Sequence, residues 1–135
     1  MADTLRKDLL LIDDEKGYHE MFRFILEPLG FRVFSAYDGE DGLAMAQTGS
    51  YDLIFCDFHM PKMNGDEVMR KLPPAKAALV VMLMGSDPNF NRQFEDKTRE
   101  AGAKHYLRKP FDFAELTAVI EAALGIRIAD QHRSP

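Results

Sequence analysis

Four positions carry groups that could do chemistry together: the adjacent acids Asp13 and Asp14, the acid Asp57, and Lys109. Each stands at the end of a short apolar run, Leu9 to Ile12 before the pair, Leu53 to Cys56 before Asp57 and His105 to Leu107 before Lys109. Like charges about 4 Å apart repel by roughly 4 kcal/mol at an effective dielectric near 20. Three gathered carboxylates therefore need a cation, and oxygen ligands with room for water suit Mg²⁺. An aspartate carboxylate can also attack phosphorus to form an acyl phosphate. Such transfer depends on positioning and on neutralising the phosphoryl oxygens, tasks that a cation on one side and Lys109 on the other would share. No glycine-rich phosphate cradle follows the first strand, where Asp13-Asp14-Glu15-Lys16-Gly17 stands instead. The phosphoryl donor must then be activated already, as a phosphohistidine protein or a small acyl phosphate is.

The elements that would position these groups alternate along the chain. Leu9–Ile12, Phe31–Ala36, Leu53–Cys56, Leu79–Met84 and His105–Leu107 read as strands, most of them apolar throughout as in a parallel sheet buried on both faces. Tyr18, Met21, Phe22, Ile25, Leu26 and Leu29 fall at helical spacing and are closed by Gly30. Further helices are expected after Asp38, over Asp66–Leu72 up to Pro73-Pro74, over about Phe90–Ala101 after an Asp87-Pro88-Asn89 loop, and after Asp112, where Glu115 completes a capping box. The Phe90–Ala101 helix is polar and thinly buried. Five strands alternating with five helices give an α/β, doubly wound, flavodoxin-like (βα)5 fold, a five-stranded parallel sheet with helices on both faces. The first, third and fifth strands are expected side by side, so that the acids and Lys109 converge. Residues 1–125 form the domain, and 126–135 read as a polar C-terminal tail or the start of a linker.

Composition narrows the function. The chain has 135 residues, a net charge of −5 and no basic run, which argues against nucleic acid or an anionic membrane as a direct partner. Its single cysteine, Cys56, lies inside an apolar strand, so no disulfide framework exists and a reducing compartment is expected. With neither a membrane-length apolar stretch nor a signal-peptide core, the expected location is cytoplasmic.

Asp13-Asp14 after an apolar strand, the stretch Asp57-Phe58-His59-Met60-Pro61-Lys62-Met63-Asn64-Gly65, and Lys109-Pro110-Phe111 together resemble the receiver domain of two-component response regulators, over about Asp8 to Gly125. The resemblance implies a signalling switch rather than a metabolic enzyme, catalysing only its own phosphorylation and dephosphorylation. It makes Asp57 the phosphoacceptor, supplied by a sensor histidine kinase or phosphotransfer protein. Asp14 and Asp57 would bind Mg²⁺ directly, Asp13 through water, and the backbone carbonyl of His59 would be a further ligand. Lys109 would contact the phosphoryl group, Pro110 would follow a cis bond, and the rotamer of Tyr106 would report activation. An output domain or target protein would read the face formed by the fourth helix, fifth strand and fifth helix.

One position departs from that pattern. Receivers carry Thr or Ser at the end of the fourth strand, and here Met84 stands there, a thioether that cannot donate a hydrogen bond. Ser86, two residues on, is a possible substitute. Met84 supports one alternative, a pseudo-receiver interaction module not controlled by phosphorylation. A second alternative is a haloacid-dehalogenase-like phosphatase, but that family places a second acid two residues after its nucleophile, where this chain has His59. His59 could influence water attack or meet a partner. Met60 and Met63 would offer an adaptable docking surface. Cys56, His19 and His105 read as packing or surface residues.

Overall fold

The computed structural model describes residues 6–85 and 88–128, the side chains of 88–91, 93 and 94 aside. Its sheet contains β1 (Lys7–Ile12), β2 (Phe31–Ala36), β3 (Leu53–Asp57), β4 (Val80–Met84) and β5 (His105–Arg108), all parallel in the order β2-β1-β3-β4-β5. This is the flavodoxin-like doubly wound sheet. Every residue of β3 and β4 is buried, which explains why their sequences show no polar alternation. Alternate residues divide between two cores. Leu9, Leu11, Phe55, Val81 and Leu83 face α1 (Lys16–Leu26) and α6 (Phe113–Leu124), where Phe22, Leu26, Leu116 and Ile120 meet them. Leu10, Ile12, Ile54, Cys56, Met82 and Met84 face α2 (Gly39–Thr48), α3 (Gly65–Arg70) and the one-turn α4 (Pro74–Ala77). Each fully buried Leu, Ile or Phe contributes about 1.5–3 kcal/mol, so these two layers supply most of the drive to fold.

The helix ends follow local rules. Asp38 caps α2 by accepting from the Asp41 N–H, and Asp112 with Glu115 forms a reciprocal capping box on α6. At the far end of α2, Lys76 donates to the carbonyls of Ala46, Gln47 and Gly49 at 2.6, 2.8 and 3.0 Å. These bonds satisfy orphan acceptors at the negative end of the helix dipole.

Three kinds of feature differ from the sequence reading. First, β5 is an edge strand, separated from β3 by β4, rather than its neighbour. Second, Pro73-Pro74 does not only stop a helix: Pro74 opens α4, its fixed φ suiting the first helical position. For the same reason α5 (Pro88–Glu100) begins at Pro88, inside the segment expected to be loop. Third, the body of the domain does not end at Gly125. Gly125 adopts a left-handed φ of 67° and turns the chain back, so that Ile128 is 4% exposed against the α1/α6 core. The Ile128 N–H donates to Glu121 Oε2 at 2.8 Å. Of the segment 126–135 expected as a polar tail, residues 129–135 lie outside the described residues.

The loop after β3 is held down on the start of α2. A Cβ on Gly39 would lie 2.4 Å from the carbonyl oxygen of Met63, closer than atoms can pack. Lys62, at a φ of 72°, pairs with Asp38 at 3.4 Å and Glu40 at 3.8 Å on the same turn. Gly39→Ala must push this loop outward, and urea unfolding should show a loss of about 1–3 kcal/mol. An unchanged midpoint would mean that the loop yields freely.

Candidate functional site

The site lies outside the carboxyl ends of β1, β3 and β5, on the side of a doubly wound sheet where ligands bind. β1 ends at Ile12 and delivers Asp13, whose N–H continues the sheet by donating to Ala36 O at 3.1 Å. β3 carries Asp57 as its last residue, 7% exposed. Lys109 comes from the edge strand, one residue past β5. Its N–H donates to Met84 O at 2.7 Å, and its buried stem spans the end of β4 toward the acids. The convergence expected from the sequence therefore occurs, through side-chain reach rather than through adjacent strands.

The Lys109 ammonium lies 2.7 Å from Asp13 Oδ2, 3.2 Å from Glu15 Oε1 and 3.5 Å from Asp57 Oδ2. The Tyr18 ring sits 4.2 Å from the same nitrogen, a cation–π contact. Carboxylate oxygens of Asp13, Asp14, Glu15 and Asp57 all lie within 4.8 Å of one another. One cation cannot neutralise four anions. Asp13 Oδ1 accepts from the Glu15 N–H at 2.9 Å, but Asp13 Oδ2, fully enclosed, accepts no hydrogen bond among the described residues. Its contact with Lys109 is a charge pair without hydrogen-bond alignment. An all-oxygen donor set with a buried, unsatisfied carboxylate oxygen fits a hard divalent cation such as Mg²⁺.

The titration behaviour follows from the crowding. Burial, then the charge of Asp13, pushes the Asp57 carboxyl up to about 7 despite the opposing pull of Lys109. Burial likewise raises Asp13. Burial alone would lower Lys109, but Asp13, Asp57 and Glu15 hold it above its ordinary value.

The other expected site residues are placed as follows. Asp14 is exposed at the rim of the cluster. Met84 is buried at the end of β4, in the same core as Met82, against which Tyr106 packs. Tyr106 is half-buried, with its hydroxyl donating to Glu95 O at 3.3 Å. The Lys109–Pro110 bond is cis. His59 is exposed, its ring edge-on to Phe58 at 5.0 Å. Ser86 lies outside the described residues. Met60 packs in the core at 8% exposure and Met63 packs against it, so the docking surface expected of that pair is not free. Cys56 is fully buried, and burial pushes its thiol far up.

Three contributors escaped the sequence reading. Glu15 completes the cluster and was legible as the third acid of Asp13-Asp14-Glu15. Tyr18 was assigned to an apolar stripe, which is correct for its ring but silent on Lys109. His19 is 1% exposed, and its burial lowers its basicity.

The model of the response regulator receiver domain family matches residues 9–121. The alkaline phosphatase synthesis transcriptional regulatory protein PhoP of Bacillus subtilis is 35% identical over 121 residues, covering 89% of this chain and 49% of PhoP. The chain thus spans about half the length of such relatives. The receiver domain of the sensor histidine kinase PA1611 from Pseudomonas aeruginosa has a TM-score of 0.76 at 25% identity, over 90% of this chain and all of that one. That structure has a magnesium ion coordinated in its active site cleft. A CheY-like receiver domain protein from Methanospirillum hungatei superposes with a TM-score of 0.79 at 25% identity, over 96% of this chain and 98% of that one.

The raised Asp57 carboxyl has a consequence for stability. Its pKa is about 7 folded and near 4 unfolded, so between these pH values the folded state holds the extra proton. Stability from this group therefore falls as pH rises from 4 to 7 and stays low above. In EDTA at pH 8, Asp57→Asn should stabilise the protein by on the order of 1–3 kcal/mol, and the gain should shrink at pH 5. Thermal melts of both proteins at the two pH values check this. A gain that is larger at pH 5 would give the Lys109 pair the controlling role.

Proposed function

The chain belongs to the response regulator receiver domain family, and on that footing we infer that it is a phosphoacceptor signalling domain with Asp57 as the acceptor. The observation carrying this reading is the placement of a strand-end carboxylate 3.5 Å from a buried ammonium, inside a cluster whose four acids outnumber that one cation. A sensor histidine kinase or phosphotransfer protein would supply the phosphoryl group, and an output domain or target protein would read the result.

Asp57 Oδ attacks phosphorus; a new P–O bond forms as the donor's P–N bond, or the P–O bond of an acyl phosphate, breaks. The leaving imidazole or carboxylate departs with the bonding pair. Lys109, already within 3.5 Å of Asp57, exchanges a carboxylate contact for a phosphoryl oxygen. Asp14 and Asp57, with Asp13 through water and the His59 carbonyl, would hold Mg²⁺, which when bound neutralises phosphoryl charge. Asp14 and Glu15 are exposed, so a donor would approach the cluster from their side, and the Tyr18 ring against the ammonium would help hold it in place.

Incubation with acetyl phosphate and Mg²⁺ should add one phosphate by intact-protein mass spectrometry, and Asp57→Asn should abolish it. Wild-type protein that binds Mg²⁺ and stays unmodified would sink the reading.

Transmission from this site is expected to be weak. Met84 places a buried thioether where a phosphoryl group would meet a hydroxyl in relatives, beside the core on which Tyr106 packs. Losing one hydrogen bond to a charged group removes about 1.5–3 kcal/mol of bias from a two-state element. Beryllofluoride, a phosphoryl mimic, should bind yet barely move the amide NMR signals of α5 and β5, and Met84→Thr should enlarge the response. A full response already in the wild type would assign the hydroxyl role to Ser86.

A further inference from the structure

The buried His19 has no place in the chemistry described above, yet both its ring nitrogens are engaged. Nε2 lies 2.7 Å from the backbone carbonyl oxygen of Asp13, and Nδ1 lies 2.7 Å from Ser35 Oγ. Arg23, one turn further along α1, donates from Nη2 to the same Ser35 oxygen at 2.5 Å. A carbonyl only accepts, so Nε2 carries the proton. In the neutral imidazole Nδ1 then has no proton to give, so Ser35, whose oxygen accepts from the guanidinium, donates its own hydrogen to Nδ1. One assignment of protons satisfies every group in the chain Arg23–Ser35–His19–Asp13. The Tyr37 ring, 4.3 Å from the imidazole, covers it from outside.

The receiving carbonyl belongs to the peptide that joins Asp13 to Asp14. That peptide is planar and stiff, so fixing its oxygen fixes the direction in which the chain leaves β1 and presents both acids. The sheet holds the other side, through the Asp13 N–H on Ala36 O at 3.1 Å. Mutual repulsion among the acids pushes this turn outward, and a buried donor on its carbonyl resists that push. We propose that His19 is a positioning residue, anchored by Ser35 and Arg23, that clamps the Asp13–Asp14 peptide and so sets the geometry in which the acidic cluster takes up a divalent cation.

The cation half of this proposal rests on the reading of the cluster given above; the clamping half does not. Four proteins test it: wild type, His19→Gln, His19→Leu and Ser35→Ala. Gln keeps an amide donor for the carbonyl, whereas Leu keeps apolar bulk without one. Calorimetric titration with MgCl₂ should show affinity about tenfold weaker in His19→Leu, within about threefold of wild type in His19→Gln, and weakened several-fold in Ser35→Ala. In EDTA, hydrogen exchange at the Glu15 amide, which reports the same turn, should speed up in the order Leu, Ser35→Ala, Gln. A packing role alone predicts the opposite ranking, with Leu tolerated and Gln harmful. Leu matching wild type in affinity and exchange, or Gln as weak as Leu at equal melting temperature, overturns the proposal. Should wild type take up no Mg²⁺, the cation reading fails and the exchange ranking alone decides the clamp. Should His19→Leu fail to fold, His19→Gln and Ser35→Ala decide it, since the clamp requires the serine variant to be the weaker binder.

Discussion

One buried ammonium facing too many carboxylates is the constraint on which this structure turns. Lys109 Nζ contacts Asp13, Glu15 and Asp57, and carboxylate oxygens of Asp13, Asp14, Glu15 and Asp57 crowd within 4.8 Å of one another. Burial strengthens attraction and repulsion together, because the surrounding apolar layers lower the dielectric. Burial and this crowding together raise the carboxyl pKa of Asp57, burial raises that of Asp13, and the acids hold Lys109 above its ordinary value. Such a cluster costs stability at neutral pH. It persists because the rest of the fold over-determines it.

That over-determination comes from both faces of the sheet. Phe22 meets Phe55 edge-on at 4.9 Å and Phe111 at 5.9 Å, so α1, β3 and the segment after Lys109 share one aromatic joint beneath the acids. On the other face, Gly39 allows the loop after Asp57 to lie against α2, and Gly65 returns its N–H to Phe58 O at 2.8 Å. A Cβ at Gly65 would fall 2.6 Å from the Asp57 carbonyl, so this close return is open only to glycine. The carboxylates cannot relax apart without disturbing one of these joints.

How much of this could be read from the sequence depended on the range of the interaction. Local signals held: the apolar strands, the Asp38 and Asp112 caps, and the acids at strand ends each depend on a few neighbouring residues. Boundaries shifted where one residue type serves two local purposes, as with Pro74 and Pro88, which open helices rather than only ending structure. Ile126 and Ile128 were counted into a polar tail because two apolar residues give no period, and only the reversal at Gly125 brings Ile128 onto the core. The lateral position of β5 was misplaced because strand order is a long-range property. His19 was hardest: nothing in Gly17-Tyr18-His19-Glu20 separates a packing imidazole from one bonded to Asp13, since its partners Ser35 and Arg23 lie on β2 and further along α1.

The two cores also bear differently on the site. The α1/α6 side is aromatic and branched, built of groups with few rotamers, and it carries Tyr18 and the Lys109 environment. The opposite side is rich in methionine, with Met60, Met69, Met82 and Met84 all buried in it. Methionine packs well but specifies position weakly. A charge change at Asp57 would therefore meet a stiff wall toward α1 and a compliant one toward α3 and α5. Displacement should follow the compliant side, where among the described residues Tyr106 is tied to α5 by its bond to Glu95 O and by Arg99 over its ring at 5.9 Å. These are weak tethers beside the ladder of β4 and β5. The branched and aromatic side holds the acids and Lys109 in register, and the methionine-rich side is the more compliant of the two walls around them.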